Sequence, residues 1–271
     1  MKLWRTLFLA GILAAAFSAA QARDLDEIKQ SGYIKIAVHD DQPPFGYVDA
    51  VGAFQGYDVY FGRRIAADLG VKPRFVPTNS ADKIEIVRRG DADITLANCT
   101  VTAKRAQKVD FALPYMKATL AVVSRKTKPI EKIEDLEGLT LAIVKGTTAD
   151  EFFEGYRFGE IKFKDVKDHD EAYRLLLAGE VDAYSNDDTV LILWAKAHPE
   201  FVVAIKNLGE IDLIAPAVQK GNFKLINWLN HEIEKLGKEN FFHEAYEKTL
   251  KSMFNDVLSA DEIVVEGGRL R

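Results

Sequence analysis

The chain has 271 residues, 48% of them hydrophobic, which is enough for one large domain or two smaller ones with separate cores. A formal net charge of -5, with lysines and arginines scattered among acids, disfavours a nucleic-acid partner, because that requires a clustered basic face. The single cysteine, Cys99, excludes an internal disulfide, and the five histidines show no ligand spacing, so neither a metal nor a cofactor is assigned.

In chain order, Lys2 and Arg5 precede an apolar run over 7–17, followed by small residues and Ala20-Gln21-Ala22. That is the order of a secretory signal peptide, residues 1–22, whose apolar core is too short for a bilayer of roughly 30 Å. The mature chain is therefore expected in the periplasm, with no cysteine at the cleavage site to carry a lipid and no later membrane span. Residues 33–38 read as a strand, 58–69 as a helix stopped by Gly70, and 72–77 as a second strand. A helix over 81–89, closed by Gly90, and a strand over 94–97 complete a βαβαβ series, which implies a parallel sheet. The pattern then restarts with strands at 140–143, 161–166 and 181–184 and helices at 148–153 and 171–178. Two α/β lobes result: 23–115 with 213–271, and 116–212. Extended crossings at 115–124 and 212–218 would form a two-stranded hinge, and helices at 222–236 and 241–254 would complete the first lobe.

An internal echo places two charges. Arg88-Arg89-Gly90-Asp91-Ala92-Asp93 leads into the third strand of the first lobe, and Leu177-Ala178-Gly179-Glu180-Val181-Asp182 into its counterpart. Beyond these strands come Arg105 and Asp187. Ligands of open parallel sheets sit beyond the carboxyl ends of the strands, so both residues are expected to face one cleft. A fixed cation and a fixed anion offered by two halves suit the carboxylate and ammonium of a free amino acid.

Pro43-Pro44-Phe45-Gly46-Tyr47, Gly56-Tyr57-Asp58, Thr100-Val101-Thr102 with Arg105, Val109-Asp110-Phe111, Pro114-Tyr115, Lys145-Gly146-Thr147-Thr148 and Asp182-Ala183 with Asp187 run through the mature chain. Together they resemble the polar amino-acid-binding proteins of bacterial ABC importers. The resemblance is greatest to cysteine-binding members, through Tyr115-Met116-Lys117, Ile214-Ala215-Pro216-Ala217-Val218, Phe241-Phe242-His243 and Val264-Val265-Glu266-Gly267-Gly268. It implies two doubly wound α/β lobes on a two-stranded hinge, the type II periplasmic binding-protein fold. It also implies a non-enzymatic, monomeric receptor that hands a free L-amino acid to a membrane permease. Position by position, Arg105 matches the arginine that forks onto the ligand carboxylate, helped by Thr100 and Asn98. Asp187 matches the carboxylate that takes the ammonium, and Gly146, Thr147 and Thr148 match a turn whose amides close over the ligand. His39, Tyr47 and Lys83, with Gln42, Ser80 and Val144, are placed around the ligand side chain, and Phe45 is an alternative stacking partner.

Each assignment has a plainer counterpart. Arg105 could lie on the surface of the helix after Thr102, and Asp187 could cap the helix running to Trp194, a role open to Asp188 as well. Lys83 could pair with Asp82, and Cys99 reads as a small buried side chain. The scaffold also hosts secreted dehydratases of prephenate or arogenate, which carry a glutamate three residues after the second-lobe aspartate. Here that position is Val190, which cannot donate a proton.

Overall fold

Two five-stranded sheets organise the chain in a computed structural model that describes residues 22–270 apart from 129, 158 and 256. The expected signal peptide, up to residue 21, lies outside the described residues. The strands are β1 (Tyr33–His39), β2 (Asp41–Gln42), β3 (Gly46–Val48), β4 (Phe54–Gln55), β5 (Lys72–Thr78), β6 (Ile94–Thr95) and β7 (Val109–Phe111). They continue with β8 (Met116–Arg125), β9 (Thr140–Val144), β10 (Lys162–Val166), β11 (Ala183–Asp187), β12 (Phe201–Ile214) and β13 (Ala217–Gln219). The first sheet runs β5-β1-β6-β13-β7, the second β10-β9-β11-β8-β12, and β2-β3-β4 form a small third sheet. In both large sheets the βαβαβ strands are parallel, and the strands added beside them are antiparallel. This is the expected pair of α/β lobes.

Alternation in the second sheet shows why it forms. Leu141 and Ile143 pack on one core with Phe153 and Ala183, whereas Ala142 and Val144 pack on another with Tyr184 and Phe201. A period of two with apolar residues on both faces is the signature of a sheet covered on both sides. In the first lobe the Tyr57–Leu69 helix buries Val59, Phe61 and Ile65. It ends at Gly70, whose φ of 75° lets its N–H reach back to Ala66 and Ala67. Phe45, offered above as a stacking partner, belongs to that core.

The hinge is a paired ribbon. Met116 pairs with Ile214, Lys117 with Leu213 and Ala118 with Asp212, and the Tyr115 N–H donates to Ile214 O at 3.0 Å. Several boundaries differ from expectation. The helix expected over 81–89 is confined to Glu85–Arg88, because Asn79 Oδ1 accepts the N–H groups of Ala81 and Asp82 and turns the chain first. β6 stops at Thr95, and the last helix breaks at Leu250 into Phe241–Thr249 and Lys251–Phe254.

Candidate functional site

Beyond β6 the backbone enters the left-handed region at Ala97 (φ 37°) and Asn98 (φ 44°), a conformation that L-residues other than Asn seldom adopt. Two buried charges clamp this bend. Lys83 Nζ donates to the carbonyls of Ala97 (3.3 Å) and Asn98 (3.0 Å), while the Asn98 N–H donates to Asp58 Oδ2 at 2.8 Å. Asp58 Oδ1 accepts from the Tyr115 hydroxyl at 2.6 Å, so the bend is tied to the start of the hinge. Burial pushes the Asp58 carboxyl up to about 6, against the opposing pull of these bonds, and lowers the Lys83 ammonium to about 8. Lys83 does not pair with Asp82, which accepts both of its bonds from Arg89.

The bend aims the Asn98 side chain at the opposite lobe, where its Nδ2 donates to Asp187 Oδ2 at 2.7 Å. Asp187 ends β11 and occupies the cap position of the Asp188–Ala197 helix, yet its side chain makes no capping bond. Asp188 instead accepts from the N–H groups of Thr189 (2.7 Å) and Thr119 (3.2 Å) and from the Thr119 hydroxyl (2.8 Å). Asp187 is thereby free to face the cleft. Burial raises its pKa, and the charge of Lys83 and the Asn98 bond oppose that rise.

Arg105 is 4% exposed and is held by the Thr102-capped turn Ala103–Ala106. Its Nη1 donates to Thr100 O at 2.9 Å and its Nη2 to Gly146 O at 3.0 Å on the other lobe, with Glu151 Oε1 3.6 Å from Nε. Its positive charge is felt by both Asp187 and Lys83, so guanidinium and carboxylate share one buried interior. The loop expected to offer amides is arranged differently. The Gly146 N–H donates to Asp150 Oδ2 and that of Thr147 to Val144 O, so Gly146 meets Arg105 through its carbonyl. The Thr147 hydroxyl accepts from the Asp150 N–H as a helix cap. Among the described residues no bond engages the amide of Thr148 or the amide and hydroxyl of Thr100.

His39 ends β1 buried, with Asp41 Oδ1 3.8 Å from its Nδ1, and burial together with the Lys83 charge holds it neutral. Tyr47 is half-buried on β3, and among the described residues no hydrogen bond or ring contact joins it to this cluster. Val144 is absorbed by the second-lobe core. Two members of the site were not singled out from sequence as cleft residues. Asp58 reads as the acid of a helix's first turn. His169 precedes the expected start of its helix, although Asp168, whose side chain accepts from the Glu171 N–H at 2.8 Å, is a recognisable N-cap. His169 Nε2 lies 3.0 Å from Ser80 Oγ and 3.3 Å from Gln42 Nε2, both across the cleft. The lobes thus meet through Asn98 with Asp187, Arg105 with Gly146, and Ser80 and Gln42 with His169. This is a closed arrangement.

The sequence model of the bacterial extracellular solute-binding proteins, family 3, matches residues 34–252. The chain belongs to that family. As a family 3 solute-binding protein it is similar to the solute receptor for L-cysteine of Neisseria gonorrhoeae. The two are 44% identical with a TM-score of 0.86, over 90% of this chain and 100% of that one. The cysteine-binding protein of Campylobacter jejuni is 45% identical with a TM-score of 0.85, over 89% and 98% of the two chains. The cyclohexadienyl dehydratase of Pseudomonas aeruginosa is 26% identical over 201 residues, 72% of this chain and 74% of its own length.

Proposed function

We propose that this protein is the extracytoplasmic receptor of an ABC importer that binds a polar L-amino acid, cysteine foremost, and presents it to a membrane permease in the closed form. The observation that carries the reading is the burial of Arg105 and Asp187, one from each lobe, in a single interior spanned by Asn98. The ligand carboxylate takes the guanidinium together with the unengaged hydroxyl and amide of Thr100, and the ammonium takes Asp187 and Asn98 Oδ1, which has no partner. In the ligand-bound state the carboxylate replaces the carbonyls that Arg105 now holds. Likeness to two cysteine receptors at 44% and 45% identity supports cysteine over the other polar ligands, namely cystine, glutamate, aspartate and glutamine. We place the lobes at 23–115 with 213–271 and at 116–212, after a signal peptide that directs a monomer to the periplasm. No described helix is long and apolar enough to cross a membrane.

The rival reading is the dehydratase activity of a relative. Against it stands Val190, 6% exposed and packed in the first hydrophobic core, at the place where the acid is required. A thermal-shift screen of the L-amino acids, with and without reductant to separate cysteine from cystine, tests the proposal. Arg105→Ala should abolish ligand-induced stabilisation while the protein remains folded, and an undiminished shift would refute the assignment. Prephenate turnover by the wild-type protein would establish the rival.

A further inference from the structure

We propose that His169 reads the ligand's side chain and couples that reading to lobe closure, selecting a short side chain that both donates and accepts a hydrogen bond: a thiol or a hydroxyl. This deepens, and rests on, the amino-acid-binding reading. His169 stands on the second lobe, yet its Nε2 meets Ser80 Oγ (3.0 Å) and Gln42 Nε2 (3.3 Å) of the first. Its Nδ1 lies 2.5 Å from Tyr184 Oη and 3.3 Å from Asn186 Nδ2, which anchor the ring to β11. These ties across the cleft exist only while the lobes are together. The ring is therefore part of the closing contact.

Gln42 Oε1 and Thr78 Oγ1 are buried without a hydrogen-bond partner among the described residues, and the His39 ring beside Thr78 has a distant carboxylate, Asp41 Oδ1 at 3.8 Å from Nδ1. Such unpartnered atoms are rare in folded proteins. His39 and Thr78 are paired neighbours at the carboxyl ends of β1 and β5, where ligands of parallel sheets sit. Lys83 stands between the two ends of the site, since its charge is felt by Asp187 and by both His39 and His169. With that charge and burial acting together, both imidazoles are neutral. The Nδ1 of His169 is held by Tyr184 and Asn186, so a ligand side chain meets its Nε2 in place of Ser80 or Gln42, beside His39, which carries one N–H and one lone pair. A carboxylate can only accept and an ammonium only donate; a thiol or hydroxyl does both. Lys83 itself is engaged by two carbonyls and is a poor host for an acidic side chain. Close to Ser80 a Cβ added at Gly146 would lie 3.0 Å from Ala81 Cα, so the lobes are packed tightly together at this edge of the site.

Calorimetric titration of the purified protein with L-cysteine under reductant, L-serine and L-glutamate is the test. The wild type should bind L-cysteine or L-serine at least tenfold more tightly than L-glutamate, and the reverse preference overturns the proposal. His169→Leu should weaken the preferred ligand about 10- to 100-fold and bring its ratio to L-glutamate towards one. His169→Gln, which keeps a donor and an acceptor, should restore part of both. Ser80→Ala removes only the first-lobe partner, should cost about fivefold, and carries the test if His169→Leu fails to fold. An unchanged ratio in the folded variants overturns the proposal. Absence of binding to every L-amino acid by the wild type sinks the amino-acid reading instead.

Discussion

Lys83→Met is the substitution that weighs the buried charge against the bonds it makes. The ammonium's fall from 10.5 to about 8 corresponds to roughly 3 kcal/mol of preference against the charged form in the folded protein. Methionine removes that penalty but leaves the carbonyls of Ala97 and Asn98 without a donor, at about 1–3 kcal/mol each. The two effects oppose each other, so apo stability near neutral pH should change by less than about 2 kcal/mol. The pH dependence separates them. Because the folded-state pKa is depressed, the unfolded chain binds more protons between about 8 and 10.5, and wild-type stability climbs across that window relative to Lys83→Met. Below about 8 the penalty is complete and the difference is flat. Urea unfolding of both proteins at pH 7.5, 9 and 10.5 should show the wild type gaining up to roughly 3 kcal/mol on the variant. Parallel stability profiles would refute the reasoning. Ligand affinity should fall in the variant, since Asn98 loses a clamp on its strained backbone.

Two other substitutions test closure and charge. Gly146→Ala places a Cβ 3.0 Å from Ala81 Cα and 3.3 Å from Ser80 O at a φ of 79°. It should weaken ligand binding more than tenfold by titration while lowering the apo melting temperature by only about 2–8 °C, the shift expected from a strain of roughly 1–2 kcal/mol. Asp187→Asn relieves a buried carboxylate whose raised pKa makes its ionised form a burden on the fold above the ordinary carboxylate range. Its apo melting temperature at pH 7 should match or exceed that of the wild type, while affinity falls at least tenfold. A variant that keeps full affinity would remove Asp187 from the site.

The alternation of strand and helix was legible because period and punctuation coincide. The amphipathic helices Tyr57–Leu69 and His169–Ala178 end at Gly70 and Gly179, and both glycines have the left-handed backbone that stops a helix. The division of labour between Asp187 and Asp188 was also legible as a pair of options, since two adjacent acids cannot both cap one helix. Other features depend on contacts distant in sequence. The turn made by Asn79 and the burial of Lys83 under two carbonyls cannot be seen in 81–89, whose composition is that of an ordinary helix. The carbonyl role of Gly146 follows from where Asp150 points, and periodicity carries no information about that. His169 was hidden by a boundary set at Glu171, two residues late, because the acids at 168–171 all resemble a helix start.

The antiparallel ribbon formed by 116–118 and 212–214 limits how the molecule can move. Interstrand bonds forbid the two connections from sliding past each other, so they must bend as one leaf spring, and relative motion of the halves reduces to rotation about a single axis. Whatever occupies the crevice is then translated into one angle. A docking partner outside needs to sense only that angle to distinguish a loaded carrier from an empty one.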